Sequence, residues 1–105
     1  MLNKRATERI QLLNAPQSSL IDLSEGGACC MVAHKGERDD ALTVVLDGLH
    51  LKARVVFARE SSDAFRTGVQ FYALSDDTLE QLRKMIDHFS RGVSVSCTVT
   101  PEHAQ

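Results

Sequence analysis

Leu42-Thr43-Val44-Val45-Leu46-Asp47-Gly48-Leu49-His50-Leu51-Lys52-Ala53-Arg54-Val55 is the stretch that decides the fold. Asp-Gly between two apolar runs is the strongest short hairpin signal, because the turns that match strand twist need a positive φ at their centre. It predicts strands over Leu42–Leu46 and Leu49–Glu60. Toward the N-terminus, Lys35–Asp40 is a solvated loop and Ala28–His34 an apolar strand. Glu25-Gly26-Gly27 breaks the chain before it, and Ser19–Ser24 is a further strand. Pro16 suits the second position of a turn, which leads back to a first strand over Ile10–Asn14. Toward the C-terminus, Ser61-Ser62-Asp63-Ala64 turns the chain into a strand over Phe65–Ala73. Six strands with short connections, filling residues 10–74, are most easily satisfied as a small antiparallel barrel.

One helix is predicted over residues 75–91. Ser75 is a suitable N-cap, Asp76 and Asp77 complement the helix dipole, and Leu74 and Leu79 stand at hydrophobic-staple positions. Leu79, Leu82, Met85, Ile86 and Phe89 recur every three or four residues as one apolar stripe, and Gly92 stops the helix. Residues 93–100 alternate with period two, which predicts an extra C-terminal strand. It can close the barrel, lie across the helix, or pair with a second copy of the chain as a homodimer, since an open apolar edge invites a partner. The expected class is therefore mainly β, a six-stranded antiparallel barrel with one C-terminal α-helix and an extra strand.

With 105 residues, 43% hydrophobic and 25% charged, the chain is expected to be one domain over 1–105. Its apolar runs are too short for membrane insertion, and no apolar segment follows Lys4-Arg5 as a secretory signal would require. Three cysteines, two of them adjacent (Cys29, Cys30), suit neither a disulfide framework nor a shared metal, so a reducing cytoplasm is the expected location. A net charge of −2 argues against DNA or RNA as partner. Lys4, Arg5 and Arg9 against Glu8 nonetheless give residues 1–10 a charge of +2, leaving −4 on the rest. A flexible basic arm over residues 1–9 on an acidic body suits a small anionic ligand.

Two short patterns carry chemistry: Arg5-x-x-x-Arg9 and Asp22-x-Ser24-x-x-Gly27. Ile21 and Leu23 are expected to face the core, which turns Asp22 and Ser24 outward side by side. If Asn14 pairs with Ser19, Arg9 falls opposite Ser24 and Gln11 opposite Asp22, so both patterns converge on one outer patch. Guanidinium forks suit phosphate oxygens or the O6 and N7 of guanine. A carboxylate accepts from guanine N1 and N2, Ser24 adds a hydroxyl, and Gly26-Gly27 lets a flat base approach the backbone.

At these residues the chain resembles the PilZ domain, the bacterial receptor module for cyclic di-GMP. Gly68-Val69-Gln70-Phe71 is similar to the Gly-x-x-Phe strand that precedes the family's final helix, and the resemblance runs from about Lys4 to Phe89. It implies that Arg5 and Arg9 grip phosphates and guanine edges, and that Asp22, Ser24 and Gly27 bind the guanine on the barrel. Lys4 and Gly26 are secondary candidates; a basic residue at position 4 is associated in the family with holding a stacked pair of dinucleotides. The implied function is a receptor or adaptor whose arm orders over the ligand and signals to an effector protein of a motility, pilus or exopolysaccharide machine.

Four scattered histidines and no C-x-x-C or H-x-x-H spacing predict no metal and no cofactor. Ser24 lacks a histidine at a recognisable spacing, so no catalytic residues and no enzyme activity are expected. Gly68 inside a strand reads first as a bulge or close-packing site. Two alternatives stand beside the receptor. One is an interaction module of the same fold that ignores nucleotide. The other is a single-stranded RNA binder, which four Phe and one Tyr serve poorly.

Overall fold

The computed structural model describes residues 18–101. The expected Ile10–Asn14 strand, the Pro16 turn and the basic arm with Lys4, Arg5 and Arg9 lie outside the described residues. The described chain is mainly β. Strands β1 (Ser19–Leu23), β2 (Gly27–Val32), β3 (Ala41–Leu46), β4 (Leu49–Ser61) and β5 (Ala64–Phe71) are followed by α1 (Asp76–Ser90) and β6 (Cys97–Pro101). All neighbouring strands are antiparallel, in the order β1-β2-β5-β4-β3-β6. The sheet curls until its ends meet. The Ser18 amide donates to the Cys97 carbonyl at 3.1 Å, next to the start of β1.

The β3–β4 hairpin forms as its Asp-Gly dictates. Asp47 and Gly48 have φ of 49° and 88°, the double positive φ of a type I′ turn. Leu42 and Val44 on β3 stand opposite Ala53 and Leu51 on β4, and these four together with Leu46 and Val55 are buried. Asp47 also fixes the approach to β6, since its carboxylate accepts from the Ser96 amide and hydroxyl at 2.8 Å each. These two hydrogen bonds hold the Asp47 carboxyl below its ordinary value.

The C-terminal segment resolves the choice left open by its pattern. Its ordered strand is Cys97–Pro101, shorter than the expected 93–100, and it pairs with β3 inside the sheet. It is the sixth strand among the described residues. Pro101 ends it opposite Leu42, where a missing N–H costs little. Cys97 points inward and its sulfur lies 3.8 Å from that of buried Cys30. The shared hydrogen bond, aided by burial, pushes the Cys30 thiol up, while the same bond draws Cys97 down.

Helix α1 begins at Ser75, whose hydroxyl accepts from the Thr78 amide at 3.1 Å. It ends in paired bonds, Gly92 N–H to Phe89 C=O and Val93 N–H to His88 C=O, with Gly92 at φ 83°. This is the Schellman arrangement. Leu82 is fully buried, and Leu79, Met85, Ile86 and Phe89 pack half-buried against the sheet's core. An exposed ion pair, Arg83 Nε to Glu25 Oε2 at 3.0 Å, ties the helix to the β1–β2 turn. No helix among the described residues is long and apolar enough to cross a membrane.

One expected core position is wrong. Ile21 is 38% exposed, whereas Leu20 packs against the core. The register of β1 on β2 jumps between Leu20 and Asp22, so Ile21 is the extra residue of a β-bulge. The bulge leaves Asp22 facing outward and Leu23 inward, as expected.

Candidate ligand-binding site

The outer face of the sheet is organised in rows across four strands. In the central row Asp22 on β1 stands beside Cys29 on β2, then Gly68 on β5, then Phe57 on β4. On one side the next row is Gly27, Gln70 and Arg54. On the other it is Ser19, Met31, Arg66 and Arg59. An open depression of about 570 Å³ covers this lattice, with Asp22, Ser24, Gly26, Gly27, Phe57, Arg66 and Gln70 among its lining residues.

The acid-hydroxyl-glycine pattern is thus gathered in one place, each member with a different local duty. Asp22 makes no ion pair or side-chain hydrogen bond among the described residues, leaving its carboxylate oxygens free to accept. Ser24 closes the β1–β2 turn, its amide donating to the Gly27 carbonyl at 2.9 Å and its hydroxyl to the same oxygen at 3.3 Å. Its lone pairs remain available to a donor. Gly27 is fixed by sterics, because a β-carbon there would collide with the Val69 carbonyl of the adjoining strand. Gly26 has open space where its side chain would be, and its carbonyl is held by the Phe71 amide at 2.9 Å. A flat group can therefore approach Gly26 without meeting a side chain.

Gly68 has the packing role its strand position suggested. A second bulge lies at Val56, between Val55 and Phe57, and Phe57 stands opposite Gly68. A β-carbon on Gly68 would run into the Phe57 ring. The ring lies over the bare backbone yet remains 37% exposed, offering an apolar surface at the edge of the depression. Phe57, Arg59, Arg66 and Gln70 were not singled out from the sequence. Period two does put Arg66, Gly68 and Gln70 on one face of β5, which was a usable signal. On β4 the same rule groups Phe57 with Leu51, Ala53 and Val55 as core, and the bulge reverses it.

Arg54 adds a cation to this face, with its guanidinium 4.8 Å from the centroid of the Tyr72 ring. A second, more enclosed cavity of about 190 Å³ lies elsewhere, lined by Val32, Leu42, Val55 and Val99 among others; among the described residues, neither Asp22, Ser24 nor Gly27 lines it. Among the described residues, no three His, Cys, Asp or Glu side chains converge as metal ligands would.

A curled antiparallel sheet with a capping helix, carrying an outward acid, a hydroxyl and a glycine turn over an open depression, defines a small ligand-binding module. A family model for the PilZ domain matches residues 4–88, and the chain belongs to that family. PilZ domains are binding and adaptor modules, in general receptors for cyclic di-GMP. No curated protein and no solved structure matches the chain at significant similarity.

Proposed function

We propose that this protein is a cyclic di-GMP receptor or adaptor that acts through an effector protein in the cytoplasm. One observation carries the proposal. The free Asp22 carboxylate and the open Gly26 backbone lie in the same depression as the Ser24 hydroxyl and an exposed aromatic ring. Asp22 accepts the N1 and N2 donors of a guanine, Ser24 supplies a second polar contact, and Gly26-Gly27 gives the base a flat approach. Phe57 offers a face for stacking, a sequence-tolerant contact worth about 1–3 kcal/mol per base. Arg5 and Arg9, on the basic arm, supply charge-assisted bonds to the phosphates. Fixing the arm costs about 1–2 kcal/mol per residue, so ligand binding and arm ordering are coupled, and the effector reads the closed state.

Calorimetric titration with cyclic di-GMP tests this. Binding is expected to weaken with added salt. Arg9→Ala is expected to lose about 1.5–3 kcal/mol per charge-assisted bond removed. A parent dissociation constant weaker than about 1 mM would remove the receptor function. The competing interaction module that ignores nucleotide draws support from Ser24, whose hydroxyl already bonds within its own turn. The same titration separates the two.

A further inference from the structure

We propose that Arg59 and Arg66 form the phosphate-holding wall of the depression, on the side away from Gly27 and Gln70. This rests on the nucleotide-binding function proposed above and assigns it two residues that neither sequence pattern contains.

The two arginines are direct cross-strand partners in the β4–β5 ladder and both are exposed on the outer face. Like charges placed opposite each other on adjacent strands repel. Nothing among the described residues compensates them. The ion pairs there are Arg83–Glu25 and Arg91–Asp87, and neither Glu60 nor Asp63, the nearest acids in sequence, pairs with either arginine. Arg66 lines the depression, and Arg59 is held toward it, its guanidinium 5.4 Å from the centroid of the Phe57 ring that also lines it. Met31, the neighbour of Arg66 on β2, brings no charge.

The surface is therefore divided by chemistry. Asp22, an acceptor for base donors, stands on β1, and the guanidinium pair stands two to three strands away. Strand spacing of about 4.8 Å puts Asp22 and Arg66 about 10 Å apart across the sheet, with a further step of two residues along it. A base resting near Asp22 and Gly26 would direct the anionic part of the same molecule toward the arginines. An anion bridging two guanidiniums turns their repulsion into attraction, and each fork can present two parallel donors to one phosphodiester.

The test is calorimetry on the parent, Arg66→Gln, Arg59→Gln and the double variant, each with cyclic di-GMP and with guanosine, alongside melting of the free proteins. Each single change is expected to weaken cyclic di-GMP about 10-fold or more and to leave guanosine binding unchanged. Each is also expected to leave the melting temperature of the free protein unchanged or higher, because repulsion is relieved. Parental affinity for cyclic di-GMP in the double variant would overturn the proposal, as would an equal loss for guanosine. If the parent does not bind cyclic di-GMP at all, titration with pyrophosphate, followed by NMR of the arginine side chains, distinguishes the two failures. Shifts at Arg59 and Arg66 would sustain the anion wall while the nucleotide function falls; their absence would remove both.

Discussion

The β3–β4 hairpin as far as Val55 keeps one uninterrupted alternation, while β1 and the far half of β4 each break theirs once. The regular region builds the core: Val44, Leu46, Leu51 and Ala53 are fully buried. The interrupted regions build the outer surface. Ile21 and Val56 are the two extra residues, and the residue after each, Asp22 and Phe57, stands at an end of the same four-strand row. Bulges re-aim side chains and bend the strand that carries them. Here the pair of them puts a carboxylate and a ring on either side of a glycine-floored hollow. Regular pleating holds this molecule together, and departures from it shape its open outer face.

Cavity formation gives the largest test of that division. Leu51→Ala, in the regular part, is expected to cost about 2–5 kcal/mol in denaturant titrations. Phe57→Ala, on the bulged part, is expected to cost well under that and to reduce nucleotide affinity instead. Equal losses of stability from the two would break the comparison.

The two neighbouring glycines sharpen it further. Gly27→Ala forces a β-carbon into the Val69 carbonyl and is expected to destabilise by about 1–3 kcal/mol, the usual range for overpacking. Gly26→Ala enters open space and is expected to stay within about 0.5 kcal/mol of the parent. A loss of ligand binding in that variant would then report on the depression alone.

The smallest effect expected is at Asp47. Its depressed carboxyl contributes stability above the ordinary value of 3.8, and that contribution is lost as pH falls through the lower folded value. Asp47→Asn keeps a residue that tolerates positive φ but removes the charge. The gap between parent and variant in thermal melts should therefore be present at neutral pH and close under acid below that value. A gap independent of pH would show that the carboxylate charge is not what holds Ser96.

Much of the fold was legible because local chemistry and global shape agree. Asp47-Gly48, Ser75 with its acids, the Leu79–Phe89 stripe and Gly92 each act within a few residues, and each does what its spacing predicts. The bulges were not legible, because nothing in Leu20-Ile21-Asp22 or Val55-Val56-Phe57 marks the middle residue as extra; the decision lies in the partner strand. The length of β6 was overread for a similar reason. Alternation runs from Val93, yet only Cys97–Pro101 finds an edge to pair with. Of the candidate site, Asp22, Ser24 and Gly27, which line one depression, could be named from one short pattern. Arg59 and Arg66 gain their meaning only by standing opposite each other, a relation that depends on the bulge at Val56. Arg5 and Arg9 lie outside the described residues.

The position of β6 also orders events during synthesis. β3 is flanked by β4, which directly follows it in the chain, and by β6, about fifty residues later and the last in chain order of the described elements. Until β6 leaves the ribosome, the hydrogen-bonding edge of Ala41–Leu46 has no partner from β6, beside some of the most apolar side chains among the described residues. Open edges of that kind template association with other chains. Pairing of Cys97–Pro101 with β3 thus guards against aggregation, and a chain cut short after α1 would leave that edge of the sheet uncovered.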